Sequence, residues 1–196
     1  MKAIFLTAGA AVALAACSSS APGGEAVTAA EAPPPPGMAA GAYMQAAASG
    51  DMFEIQSSHL ALQRTCDPRV RGFAQMLIDE HTRMSNMMAE AARATGLPLP
   101  PLAMTARHAE MLQRLQAAPG TSFDAAYRAE QVAAHQEALT LHRGYSEIGD
   151  QTVLRTLAAQ AVPAIQSHLA EARALPTGTP CTAPASETRR KAGERG

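Results

Sequence analysis

The chain has 196 residues, of which 47% are hydrophobic and 17% charged, with three tyrosines, four phenylalanines and no tryptophan. That length supports one domain with a real core, and a core of alanine, leucine and methionine favours close helix packing over a sandwich or barrel. A formal charge of −1 excludes a general nucleic-acid role.

The leader MKAIFLTAGAAVALAAC carries one positive charge, Lys2, ahead of an apolar run that reaches Ala16. It is too short and too early for a membrane-spanning helix and fits a secretory signal. Its end, Leu14-Ala15-Ala16-Cys17, resembles a bacterial lipoprotein processing box. On that reading residues 1–16 are removed, Cys17 is lipidated, and several acyl chains hold the mature protein to a membrane. Ser18 after the cysteine, rather than an aspartate, resembles lipoproteins sent to the outer membrane of a Gram-negative cell, facing the periplasm. The alternative is an ordinary secretory signal with an incidental cysteine.

Residues 17–42 hold serines, glycines and four consecutive prolines, Pro33 to Pro36, and read as a tether that is stiff in its proline part. Residues 43–176 carry helical periodicity throughout, and 177–196 are unpatterned and expected to be disordered. A first helix is predicted over Tyr43–Thr65 with a stripe of Met52, Ile55, His59 and Leu62, broken by Asp67-Pro68. The second, Pro68–Thr95, aligns Val70, Phe73, Leu77, His81, Met84 and Met88 and closes at Gly96. After Leu97-Pro98-Leu99-Pro100 a short helix covers Thr105–Ala117, and Ser122 is placed to cap the next one. The third long helix, Phe123–Tyr145, sets Tyr127, Gln131, His135, Ala138 and His142 on one side. The fourth, Gln151–Leu175, aligns Leu154, Leu157, Ala161, Ile165, His168, Ala172 and Leu175, with Pro163 inside as a source of a kink.

Four amphipathic helices of similar length imply an all-α bundle. A helix over 105–117 spans roughly 20 Å and can carry the chain from one end of the bundle to the other. The second and third long helices can then run parallel, as in ferritin-like bundles. The segments MFEIQSSHLALQRTCDPRVRGFAQMLIDEHTRM, FDAAYRAEQVAAHQEALTLHRGY and VPAIQSHLAEARAL together resemble the ferritin-like DUF4142 family of bacterial envelope proteins, over about residues 42–175. The resemblance implies a four-helix ferritin-like bundle with a short crossover helix between the second and third long helices. It implies no reaction. Its matching polar positions are Glu54, Asp79, His81, His135 and His168.

In the crossover topology Glu54 lies about eleven residues before one end of the bundle, His81 about thirteen after it and His135 about twelve after it. At about 1.5 Å per residue these share a level. His168 is expected several ångströms nearer that end. A carboxylate and two or three imidazoles facing a bundle interior can hold iron, manganese, zinc or copper. Di-iron bundles, however, take a Glu-x-x-His pair from each of two helices. Here the residues three before His81, His135 and His168 are Ile78, Val132 and Ile165, which argues against an ordinary ferroxidase centre.

Without a metal, the same histidines would be buried polar residues paired with Glu54, Asp79, Gln131 or Tyr127. His59 can join either network, whereas His108 and His142 are expected at the surface or an edge. Met76, Met84, Met87 and Met88 read as gap-filling core rather than thioether ligands. The chain has no Cys-x-x-Cys, phosphate loop, metalloprotease signature or nucleophile elbow, and no catalytic residue is assigned. Of the two cysteines left besides Cys17, Cys66 and Cys181 follow helices that end together in a crossover bundle, so a disulfide between them is expected.

The reading is a lipid-anchored envelope domain acting as a noncatalytic binding or stress-related module without a cofactor. Its partners are the bacterial membrane through the lipid anchor and an envelope protein or cell-wall component. The alternative is an altered ferritin-like metalloprotein that binds a transition metal through Glu54, His81, His135 and His168.

Overall fold

The computed structural model describes residues 38–178. The expectations for the signal, Cys17, the tether up to residue 37, Cys181 and the tail from residue 179 lie outside these described residues. The helices are α1 Ala40–Arg64, α2 Pro68–Thr95, α3 Ala106–Ala117, α4 Phe123–Ile148 and α5 Thr152–Ala174, with a 3-10 turn at Gly120–Ser122. Among the described residues there is no strand, only a single bridge between Met38 and Gly149. The first helix begins three residues earlier than its sequence pattern predicts.

Local chemistry sets the breaks. Asp67 caps α2 by accepting from the Arg69 N–H at 2.8 Å and the Val70 N–H at 3.4 Å. Pro68 occupies the first turn, where a missing N–H costs nothing. Gly96 closes α2 at φ 70°, a left-handed conformation that favours glycine. Thr105 caps α3 by accepting from the His108 N–H. Ser122 does not cap α4; its hydroxyl turns back to donate to the Pro119 carbonyl at 3.3 Å. Pro163 lies inside α5, and the helix continues through it; the ring is on the exposed side, where water can satisfy the carbonyl it leaves without a donor.

α1 packs chiefly on α2, and α4 on α5. Met38 pairs with Gly149, so α1 begins where α4 ends. At the opposite end Arg64, the last residue of α1, donates to the Leu115 carbonyl at 3.0 Å, to the Gln116 carbonyl at 3.1 Å and to the Ala118 carbonyl. α2 and α4 therefore both start at the Arg64 end and run parallel, with α3 as the crossover lying along α1. Ser49 accepts the Thr105 N–H at 2.8 Å and so fixes the start of α3 against α1. Arg64 fixes its end and also lies over the Phe123 ring, 4.7 Å from the centroid. Cys66, just past α1, is half of a disulfide.

The apolar core comes in two parts. One cluster surrounds Phe53, Phe73, Leu77, Met111, Leu115, Phe123 and Tyr127, at the Arg64 end. The other surrounds Tyr43, Met44, Met88, Tyr145, Leu154 and Leu157, at the Met38 end. Tyr43 stacks on Tyr145 with centroids 3.8 Å apart, and its hydroxyl donates to His142 Nδ1 at 3.0 Å. His142 is thus buried in the upper half of the bundle, not at a surface edge as its sequence position suggests. Its ring has a fixed donor only while Nδ1 is unprotonated.

The phase of α1 also differs from its sequence stripe. Phe53, Glu54, Ser57, Ser58 and Ala61 face inward, while His59 is exposed and Ile55 only half-buried. Small and hydroxylated residues let α1 approach its neighbours closely, with Ser57 bonded to Gln131 and Ser58 to Tyr127.

Two outcomes follow from these contacts. Replacing Arg64 with alanine leaves the last carbonyls of α3 without their charged donor and is expected to cost roughly 1.5–3 kcal/mol, read from urea midpoints. Arg64→Lys recovers only part of the loss, because one ammonium cannot match the guanidinium fork. His142 has its pKa depressed to about 4, first by burial and then by the charge of His81, against the pull of Asp51. A depressed pKa means that the unfolded chain binds the proton more readily. The contribution is therefore complete above about pH 6.5 and is lost as pH falls toward 4. His142→Asn is expected to flatten the fall of the urea midpoint over that window by close to one proton.

Candidate metal centre

Between the two apolar clusters lies a polar layer. α2 contributes His81, α4 His135 and α5 His168, with ring centroids 6.0 Å (His81 to His135), 6.0 Å (His81 to His168) and 5.5 Å (His135 to His168) apart. One nitrogen from each ring lies within 4.8 Å of the other two, and all three residues are buried. His168 thus shares the level of the other two, contrary to the offset expected from counting. α5 ends beside Arg69, Gly72 and Phe73 rather than beyond the start of α2, and this stagger removes the difference.

Each ring is held by one nitrogen. His81 donates from Nδ1 to Asp51 Oδ1 at 2.8 Å, and Ser85 donates to the other oxygen of that carboxylate at 2.8 Å. His135 donates from Nδ1 to the Gln131 carbonyl one turn back, also at 2.8 Å. His168 presents Nε2 to Glu80 Oε2 at 3.1 Å. These acceptors specify the tautomers. The remaining nitrogens, His81 Nε2, His135 Nε2 and His168 Nδ1, are buried and have no hydrogen-bond partner. Orphaned buried nitrogens are uncommon and costly, and here three of them converge.

The carboxylates are distributed differently from the sequence expectation. Glu54 is 3% exposed, with Oε1 3.5 Å from His135 Nδ1 and Oε2 without a partner. It therefore lies against the tied edge of His135, and the group of converging donors closes without it. Asp79 is exposed and accepts from Gln75 at 3.1 Å, so it takes no part. Tyr127 and Gln131 give their side chains to Ser58 and Ser57 rather than to the histidines.

Asp51 and Glu80 are the residues that sequence reasoning missed as partners. Asp51 stands one turn before Glu54 on the inward side of α1, and that i, i+3 pair of acids was its available signal. Glu80 reaches across to His168 although it adjoins His81 in the chain. His108 is only half-buried but faces the same interior space. It bonds Ser49 at 2.6 Å through Nδ1 and stacks on Phe53.

Burial and charge push the rings in different directions. Burial pushes the His135 pKa down to about 3, with the charges of His81 and His168 adding to it and the Gln131 carbonyl opposing, so its Nε2 keeps a lone pair. Burial and His81 also hold His168 below the ordinary histidine value, despite Glu80. Burial works against a charged His81, but the bond and charge of Asp51, helped by Glu54 and Glu80, outweigh it and raise that ring. Burial lifts Glu54 to about 7, against the pull of His81 and Gln131.

The donor set fits a late first-row transition ion. Nitrogen bonds of about 2.0–2.1 Å place three donors around one ion roughly 3.5 Å apart, so the rings need to close by about an ångström from their present spacing. Each tied nitrogen already has the carboxylate or carbonyl partner that orients metal-bound imidazoles. With Ile78, Val132 and Ile165 in place of glutamates, there is no bridging carboxylate for a second ion.

The fold is shared with solved structures of other proteins. The Cu(II)-bound form of CopM superimposes with a TM-score of 0.60 at 15% identity, covering 70% of this chain and 95% of that one. The Ag-bound form gives 0.57 at 16% identity, covering 69% and 93%. A DUF305 protein from Streptomyces coelicolor gives 0.57 at 16% identity, covering 70% and 94%. At these identities the likeness is one of fold alone. No curated protein matches the sequence. The family profile described as a domain of unknown function, DUF4142, matches residues 25–175, a span that includes every helix described, and the chain belongs to that family.

Proposed function

We propose that this protein is a noncatalytic metal-binding bundle whose ligands are His81 Nε2, His135 Nε2 and His168 Nδ1. The observation that carries this reading is the convergence of three buried nitrogens without partners, each on a ring whose other nitrogen is tied. A metal-free hydrogen-bonded network, the bland alternative, would have satisfied those atoms. Imidazole ligands suit copper and zinc, and the stability order of divalent ions places Cu(II) first. CopM, a protein of the same fold, is described in Cu(II)-, Cu(I)- and Ag-bound forms, which agrees with that choice.

In this scheme Asp51 and Glu80 orient the rings and offset positive charge from outside the ligand set. Glu54, expected from the sequence as a ligand, acts at one remove through the edge of His135. A bound ion would supply a fixed positive charge and a Lewis-acid centre. Nothing in the surrounding residues assigns it a reaction, and binding itself is the proposed role, as in metal sequestration during envelope stress.

The cellular setting rests on the leader and is part of the same proposal. Cleavage before Cys17 and lipidation of that residue would place the bundle on the periplasmic face of the outer membrane, with the proline-rich segment as its tether. Among the described residues no helix is long and apolar enough to cross a membrane, so attachment falls to the leader. Cys181 is proposed as the partner of Cys66, since α1 and α5 finish at the same end of the bundle.

Equilibrium dialysis of the purified chain against Cu(II) or Zn(II), followed by elemental analysis, is expected to give about one ion per chain. His135→Ala and His168→Ala should each lower the affinity by at least about 100-fold, and Asp51→Asn by roughly 10- to 100-fold through the loss of ring orientation. Binding should also raise the thermal midpoint of the wild type alone, because ion bound to the folded state stabilises it. A wild type that stays metal-free, or triple-histidine variants that bind as tightly, would overturn the assignment.

A further inference from the structure

The histidine layer forms the floor of a cavity of about 510 Å³ that extends from the three rings toward the Met38 end of the bundle. The apolar part of its wall includes Ala47, Met87, Ala138, Leu141, Ala161 and Ile165. Alanines stand at positions where a bundle usually places larger side chains, and they leave the space open in the middle of an otherwise divided core. Cavities of about 300–1,000 Å³ with mainly apolar walls and a few convergent polar groups are the usual form of small-molecule sites.

Most charged groups around this space are already paired, the exception being Glu54, whose Oε2 has no partner. Arg107 donates to Glu137 at 2.6 Å, and Arg83 lies 3.9 Å from Glu80. His108 and His142, also in the wall, are both held toward their neutral forms by burial. Apart from the Glu54 carboxyl, the walls therefore offer a bound molecule apolar contact and no uncommitted charge. The floor is different. Three nitrogen donors leave a late transition ion at least one coordination position, and Glu54 is turned to the tied edge of His135 rather than into the donor group.

Resting on the metal reading above, we infer that the cavity is a binding site for a small, uncharged ligand that coordinates through one nitrogen or oxygen donor. Its apolar body, about the size of an aromatic ring with a short substituent, fills the space between the histidines and the Tyr43 cluster. Metal coordination sets its orientation and apolar burial supplies its selectivity. The site thus discriminates among donors of equal basicity by the shape of what they carry.

Cobalt(II) serves as the spectroscopic probe. The full-length chain is loaded with Co(II), and its visible d–d bands are followed while imidazole or 4-phenylimidazole is added. Both are expected to change the bands, with 4-phenylimidazole binding at least about tenfold more tightly because its ring is buried. Ala161→Phe fills the cavity and should abolish the preference while leaving cobalt affinity within about threefold. Ala138→Leu, a smaller intrusion less demanding of the fold, should reduce it, and circular dichroism establishes that each variant is folded. Equal binding of the two imidazoles, no spectral response to either, or a preference that survives both substitutions overturns the ligand site while leaving the metal site standing. A chain that takes up no cobalt, copper or zinc overturns the metal site and this inference with it.

Discussion

A neutral imidazole has one donor and one acceptor nitrogen, and whatever accepts the N–H decides which is which. In this bundle the choice is made three times by groups outside the donor layer: Asp51 for His81, the Gln131 carbonyl for His135 and Glu80 for His168. The other nitrogen of each ring is thereby turned to the same interior point. The arrangement depends on backbone placement more than on any one side chain. Asp51 reaches His81 only because α1 and α2 are a close antiparallel pair, and Glu80 reaches His168 only because α2 lies beside α5. The crossover helix makes this register available. Pinned by Ser49 at one end and Arg64 at the other, it sends α4 off parallel to α2, so that His81 and His135 rise to the same height from the same end.

A polar layer and a cavity across the centre of a domain carry an energetic cost. Wall atoms facing a cavity lose packing contacts, and unpaired nitrogens lose hydration without replacement. The bundle offsets this with two apolar clusters, one at each end, that hold the four helices together independently of the middle. Tyrosines mark the transition. Tyr127 and Tyr43 are fully buried, yet each hydroxyl finds a partner, Ser58 and His142, so polarity increases stepwise toward the histidines. Burial of both phenols pushes their pKa values upward, which keeps these hydroxyls as donors.

Much of the fold was legible because α2, α4 and α5 bury residues large enough to print a helical period. Val70, Phe73, Leu77 and His81, and likewise Tyr127, Gln131 and His135, face inward as their spacing predicts. The period of α1 is obscured because Ser49, Glu54, Ser57 and Ser58 stand on its inner face beside Phe53 and Ala61, polar residues that hydropathy scores as surface. Its more apolar stripe through Ile55 instead reflects packing at the edges. The site was legible in its histidines and illegible in its acids for a related reason. Ring position follows from helical phase, whereas the partner of a ring is set by which helices adjoin and how far they are staggered. Hence sequence position gives no sign that Asp51 is the partner of His81, sets Asp79 near a ring that it does not touch, and hides the interior that His142 and His108 both face.

The absence of Glu-x-x-His pairs now has a positive meaning. A dinuclear carboxylate centre neutralises its ions directly, with charged oxygens in the bonding shell. Here Ile78, Val132 and Ile165 occupy those positions, and the acids stand one imidazole farther out. Three imidazole nitrogens surround the central point, and Asp51 and Glu80 hold two of the rings from outside. That geometry favours one ion over two and borderline nitrogen-seeking metals over hard oxygen-seeking ones. Glu54 bears on the tied edge of His135, and the converging donors form a group without a carboxylate. In the metal site proposed above, the aliphatic residues that stand where a ferroxidase centre has glutamates would leave a coordination position to a donor from outside the chain.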